Sequence, residues 1–147
     1  MVNVQTQIHI NRPRAEVADY AANPDNAPQW YVNIHSSQRL TGGPVAAGSK
    51  VAFTAKFLGR ELNYTYEFVE YVPGEKLVMR TAQGPFPMQT TYTWTDDDDG
   101  GTRMSLGNTG SPSGFSRLAG LVMAPMMRRE NRKDLHRLKS ILEASRG

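Results

Sequence analysis

Between residues 34 and 109 apolar and polar side chains alternate along the chain, and turn residues interrupt the alternation at short intervals. A period of two is the mark of strands with one covered face and one wet face. Val51, Phe53, Ala55 and Phe57 alternate with Ala52, Thr54, Lys56 and Leu58. Leu62, Tyr64, Tyr66 and Phe68 alternate with Asn63, Thr65, Glu67 and Val69, and Leu77, Met79 and Thr81 follow. Met88, Thr90, Tyr92 and Trp94 oppose Gln89, Thr91, Thr93 and Thr95, and Met104, Leu106 and Asn108 alternate with Arg103, Ser105 and Gly107. The links at Gly59-Arg60, Val72-Pro73-Gly74-Glu75, Gly84-Pro85-Phe86-Pro87 and Asp96 to Gly101 are too short for crossover helices. The strands must therefore run as an antiparallel meander. Val2, Val4, Thr6, Ile8 and Ile10 give one more strand ahead of it, and residues 34–41 open the run.

Around the meander the periodicity is helical. Asn11 is an expected N-cap with Pro13 in the first turn, and Val17, Tyr20 and Ala21 form one apolar face. Asn23-Pro24 stops that helix, and Pro24 to Trp30 reads as a second short helical turn. Trp30 and Tyr31 are expected to close the mouth or floor of the core. A long helix over about residues 113–145 ends the sequence. At about 100° per residue, Met123, Met127, Asn131, Leu135, Leu138 and Leu142 fall on one stripe that would pack on the sheet. Leu118, Val122 and Met126 lie on a second stripe, so the half-helix 115–127 is apolar nearly all round. It could form a ligand portal or a self-association surface, or be roofed by the loops at Gly42–Gly48 and Gly84–Pro87. Pro125 should kink it. Asn131, polar within the packing stripe, is expected to hydrogen-bond a backbone group. A curved sheet with a single helix returning across it encloses a cavity more readily than a solid core.

A chain of 147 residues suits one domain, residues 1–147. It has no cysteine, which removes disulfides, thiolate nucleophiles and Cys-based metal sites and favours a cytoplasmic place. The first ten residues lack the apolar core of a signal peptide, and no stretch approaches the ~18 apolar residues of a membrane span. From Arg117 onward the formal charge is +5 and before it −2, so the basic character belongs to the long helix. No aromatic residues interleave with those basic ones, and a solvated helix exterior is expected rather than a nucleic-acid surface. The run Asp96-Asp97-Asp98-Asp99 lacks the spaced oxygen ligands of a calcium loop and reads as a solvated turn. His9, His35 and His136 lie in different elements, so no metal is expected. Neither a Gly-x-Ser-x-Gly elbow nor a phosphate loop occurs. The polar side chains left on the inner face are Tyr64, Tyr66 and Tyr92, with Asn108 near them. Such hydroxyls can stabilise an enolate or act as a general acid, and are also common in cores.

Several stretches carry a resemblance. Pro13 and Val17 match a Pro-x-x-x-Val/Phe opening of the first helix, and Trp30 matches a Trp after Asn-Pro. Gly43-Pro44 with Gly48-Ser49 matches a Gly-Pro then Gly-Thr/Ser pattern before a strand. Glu70, Tyr71, Pro73 and Leu77 match Glu-Tyr-x-Pro-x-x-x-Leu. On these residues the chain resembles the START-like, helix-grip (Bet v 1-like) superfamily, and within it the polyketide cyclase/dehydrase-like SRPBCC proteins. These signatures mark turns and packing. The resemblance implies an α+β helix-grip fold: a curved seven-stranded antiparallel sheet wrapped around a long C-terminal helix, with two short helices between strands 1 and 2. It also implies an apolar cavity, and relatives that bind lipids, sterols, polyketides or plant hormones or that cyclise or dehydrate poly-β-ketone chains.

The expected function is binding or carriage of a small hydrophobic molecule (lipid, polyketide or aromatic) between sheet and helix. One alternative is a cyclase, aromatase or dehydratase acting on a ketide-like substrate without a cofactor. Another is a protein-interaction or homodimer surface on the half-helix 115–127. The expected ligand-binding residues are Trp30, Phe53, Phe57, Tyr64, Tyr66, Phe86, Met88, Tyr92, Asn108, Phe115, Val122 and Met126. No catalytic residue can be assigned, and the inner faces read as almost wholly apolar and aromatic, which favours binding. A titratable group buried beside the tyrosines would favour the enzyme reading.

Overall fold

The computed structural model describes residues 2–57, 59–83, 88–110 and 117–144. Among them are strands β1 (Val2–Ile10), β2 (Ile34–Arg39), β3 (Lys50–Phe57), β4 (Arg60–Val72), β5 (Lys76–Gln83), β6 (Met88–Asp96) and β7 (Thr102–Gly110). They form one antiparallel sheet in the order β1-β7-β6-β5-β4-β3-β2. The expected meander accounts for β2 to β7, and β1 closes the other edge, in register from Val2 opposite Gly110 to Ile10 opposite Thr102. Between β1 and β2 the chain crosses the sheet through α1 (Arg14–Ala22), a 3-10 turn (Pro24–Asn26) and α2 (Ala27–Trp30). The long helix α3 (Arg117–Ala144) returns across the sheet and packs along β1. Of its expected start, residues 113–116 lie outside the described residues.

Three details differ from the sequence reading. Asn11 does not cap α1. Pro13 holds the N-cap position with φ −59°, and Asn11 stands two residues upstream, in a turn closed by Arg12 N–H donating to Ile10 O at 2.8 Å. The Asn11 N–H donates instead to Glu143 Oε2 (2.8 Å), tying the end of β1 to the end of α3. Strand β2 stops at Arg39, because the Thr41 hydroxyl turns back to accept from Lys50 N–H (3.1 Å). The acidic turn is not simply solvated. His9 lies between two of its carboxylates, with Nδ1 2.6 Å from Asp97 Oδ2 and Nε2 3.2 Å from Asp99 Oδ2. Gly101 makes that possible, since a Cβ there would stand 2.7 Å from the His9 ring and 2.8 Å from Ile10 O.

Curvature comes from register shifts. Pairing slips between Ile34 and Ser36 in β2, and between Thr65 and Tyr66 and between Phe68 and Glu70 in β4. An extra residue at such a bulge bends its strand and increases the local twist. The second β4 slip leaves Val69 and Glu70 exposed one after the other, so the alternation breaks at Glu70. Inside the curve, Leu77, Tyr92 and Leu106 form one row and Trp94 pairs with Met104 in the next. Leu135, Leu138 and Leu142 of α3 and Val17, Ala18 and Ala21 of α1 close over them, all buried. Fully burying one such leucine contributes about 1.5–3 kcal/mol. Helix α3 runs through Pro125, which sits on its exposed side.

Candidate functional site

The packed stripe of α3 changes character toward its N-terminal half. Leu142, Leu138 and Leu135 give way to Asp134, Asn131, Glu130 and Met127, and the sheet opposite gives way from Trp94 and Met104 to Tyr92, Thr90 and Asn108. A cavity of about 140 Å³ opens there between sheet and helix. Phe53, Tyr64, Tyr66, Met79 and Met88 supply its apolar wall. The exposed Lys56 and the half-buried Asn33 and Glu130 mark the end nearest the surface, where Asn33 Nδ2 donates to Glu130 Oε2 at 3.3 Å.

The aromatic side chains brace one another. Trp30 is wholly buried behind the wall, its ring 4.1 Å from Tyr31 and 5.8 Å from Tyr92. Phe53 meets Tyr66 edge-on at 5.7 Å, and Tyr64 and Tyr66 lie 6.0 Å apart. Such pairs fix ring orientation as well as burying area. The hydroxyls of Tyr31 and Tyr92 hydrogen-bond each other. Thr90 Oγ1 donates to Asn108 Oδ1 at 2.8 Å, and the Tyr66 hydroxyl bonds Thr90. Strand pairing brings this about, because Thr90 stands opposite both Asn108 and Met79.

Of the charged residues in the described lining, Lys56, Glu130 and Asp134, only Asp134 is buried. Asp134 is 3% exposed, and its Oδ1 accepts from the Val32 N–H at 2.8 Å. Burial disfavours the carboxylate and pushes its pKa from 3.8 up to about 7, against the Val32 bond, which lowers it. Burial also raises the Tyr31, Tyr64, Tyr66 and Tyr92 phenols, and the Asp134 charge raises Tyr31 and Tyr92 further. All four tyrosines are therefore neutral donors at ordinary pH, while Asp134 titrates near neutrality. On α3 one turn earlier, Asn131 is 6% exposed, and its Nδ2 has no partner among the described residues. No hydrogen bond from it to a backbone group is found among the described residues.

Of the residues expected to bind a ligand, Phe53, Tyr64, Tyr66, Met88, Tyr92 and Asn108 converge on the cavity. Trp30 stands behind Tyr31 and Tyr92, and Met126 is half-buried on α3 but is not part of the wall. Phe86 and Phe115 lie outside the described residues, as do the side chains of Phe57 and Val122 and most of the half-helix 115–127. The reading missed Tyr31, Met79, Thr90, Met127, Asn131 and Asp134 as lining residues. The inner face is also less apolar than expected, because Asp134, Asn131 and Glu130 face it. Among the described residues no group of three or more His, Cys, Asp or Glu is placed to hold a metal ion. None of the described helices is long and apolar enough to cross a membrane.

This fold is shared with known proteins. The family described as "Polyketide cyclase / dehydrase and lipid transport" matches residues 1–143. The chain belongs to that family. No curated protein matches the chain. Solved structures do: TTHA0849 from Thermus thermophilus superposes with a TM-score of 0.83 at 18% identity, over 98% of this chain and 99% of that one. The Zhui aromatase/cyclase from Streptomyces gives 0.79 at 14% identity, over 96% and 93%. The ginseng major latex-like protein 151 from Panax ginseng gives 0.70 at 11% identity, over 94% and 95%. At these identities the likeness is one of fold, the helix-grip arrangement of a curved antiparallel sheet and a long C-terminal helix.

Proposed function

We propose that this protein binds a small, largely apolar molecule in the cavity between its sheet and α3, with Phe53, Tyr64, Tyr66, Met88, Tyr92 and Asn108 in the wall. The observation that carries the reading is an apolar, aromatic-lined space between sheet and α3 with a few polar groups converging on it, in a chain whose family is described by polyketide cyclisation and lipid transport. Sites for small molecules combine these two features. At about 140 Å³ the space is smaller than the roughly 300–1,000 Å³ usual for drug-sized ligands, so the ligand is small. The same proposal places the protein in the cytoplasm, where a domain without disulfides suffices. The test is titration with toluene and indole followed by amide NMR shifts. Shifts clustered at Tyr31, Thr90, Asn108 and Asn131 support the reading, and shifts elsewhere, or none, refute it.

Asp134 favours a second reading, a cyclase- or dehydratase-type enzyme working without a cofactor. A carboxyl that titrates near pH 7 beside a hydroxyl pair is suited to move a proton while Tyr31 and Tyr92 hold charge on an enolate oxygen. This reading predicts turnover of a β-polyketone mimic with a rate inflection near pH 7. It also predicts that Asp134→Asn abolishes turnover while the fold and toluene binding persist. A parent protein inactive on such mimics leaves binding alone.

A further inference from the structure

Most of the polar groups around the cavity are already engaged with one another. Tyr31 bonds Tyr92, Tyr66 bonds Thr90, and Thr90 bonds Asn108. Among the described residues, α3 adds two open valences of its own, a donor and an acceptor. Asn131 Nδ2 is a donor without a partner among the described residues, on a side chain 6% exposed. Asp134, 3% exposed, spends Oδ1 on Val32, and no described residue donates to its Oδ2. A buried donor left unmade is costly, so a ligand that satisfies it binds more tightly than one that does not.

Asn131 and Asp134 are three residues apart on one helix, so their Cβ atoms lie roughly 5–6 Å apart on the same face. That separation lets the two side chains meet neighbouring atoms of one small molecule. One supplies a donor and the other an acceptor. An anion is the wrong partner, because Glu130 and, once ionised, Asp134 would face it across a low-dielectric space. The volume is close to that of a cavity of roughly 150 Å³ known to take a single benzene ring.

We propose that the cavity selects a neutral single-ring molecule with a carbonyl-type acceptor next to an N–H or O–H donor, the acceptor held by Asn131 Nδ2 and the donor by Asp134 Oδ2. This rests on the binding reading above and adds to it the chemistry of the ligand. Lactams, hydroxypyridines in their oxo form and cyclic enolones belong to the class.

Three probes test it: 2-pyridone, which has both groups; 1-methyl-2-pyridone, which lacks the donor; and toluene, which lacks both. Dissociation constants come from amide NMR titrations of the parent protein and of Asn131→Leu and Asp134→Leu. Both changes keep volume roughly constant and remove one valence each. The parent should prefer 2-pyridone to 1-methyl-2-pyridone by about two- to tenfold, the worth of one hydrogen bond. Each variant should lower the 2-pyridone-to-toluene affinity ratio by a similar factor. Only Asp134→Leu should erase the preference over the methylated probe, whereas Asn131→Leu should keep it. Ratios are compared within each variant, so a general loosening of the fold cancels. Toluene binding with the ratios unchanged in both variants would overturn the donor–acceptor pair and leave the binding reading standing. Absence of cavity shifts with all three probes would overturn the binding reading and this proposal together.

Discussion

The two ends of the space under α3 are built from the same helix face and the same sheet, yet one is solid and the other hollow. At the solid end Leu135, Leu138 and Leu142 meet Trp94, Met104 and Ile10, all 4% exposed or less. At the hollow end Met127, Asn131 and Asp134 meet Thr90, Asn108 and Tyr92 around about 140 Å³ of space. The difference lies in a few positions. Where the stripe presents leucine, aliphatic surface interlocks at close-packed density. Where it presents Asn131 and Asp134, space is left against the sheet, and Asn131 Nδ2 has no partner among the described residues. Stability should reside in the first end and recognition in the second.

Leu138→Ala should separate the two ends most sharply. Truncating a fully buried leucine costs about 2–5 kcal/mol, so urea unfolding should show a loss of that size. Toluene affinity should not change. A loss of probe binding in a variant that is still folded would show that the hollow end depends on the solid one.

Asp134→Asn should act in the opposite sense. The native carboxyl titrates at about 7, well above its unfolded 3.8. Between about pH 4 and 7 the folded state therefore binds more protons than the unfolded, and stability falls as pH rises. At about 1.4 kcal/mol per unit, ionisation penalises the native state by up to about 4 kcal/mol above pH 7. Asparagine keeps an acceptor for Val32 and removes the charge. Unfolding at pH 8 should show a gain approaching that size, shrinking to nothing near pH 4. A variant less stable than the parent at pH 8 would mean that the carboxylate is stabilised by something other than its present neighbours.

Filling the hollow end should leave the fold and remove the ligand. Tyr66→Trp places a larger ring in the space and should weaken toluene at least tenfold, about 1.4 kcal/mol. Unchanged affinity would put the site elsewhere. The smallest effect belongs to Tyr92→Phe, which deletes one hydroxyl and leaves that of Tyr31 without its partner. Its cost should be about 0.5–1.5 kcal/mol in unfolding free energy, with the cavity intact.

The sequence conveys the solid end far better than the hollow one. Period-two alternation gave the inner face of every central strand, so Phe53, Tyr64, Tyr66, Met88, Tyr92 and Asn108 could be placed facing inward before any coordinates. Met79 and Thr90 obey the same alternation and were legible by the same rule. Asp134 was legible too, though charge hid it. At about 100° per residue it falls only about 20° from Met127, in the middle of the buried stripe. Standing between Lys133 and Leu135, it reads as one more solvated charge of a basic helix. Tyr31 follows no period, since its position depends on how the link between α2 and β2 turns. Of the bulges in β4, which curve the sheet, the second marks the pattern only by Glu70, a charged residue where the alternation would point inward.

The pairing of β1 with β7 has a consequence for how the molecule is made. Val2 finds its partner at Gly110, so this edge strand waits for more than a hundred residues to be made before it can join the sheet. The loop it closes costs little in entropy, because that cost grows only with the logarithm of length, but contacts so far apart in sequence make folding slow. The hairpins from β2 to β7 pair locally and can form during that wait. Helix α3 follows β7, and its Lys139 donates to the His9 carbonyl of β1 at 2.8 Å. The trough is therefore shaped before its lid exists.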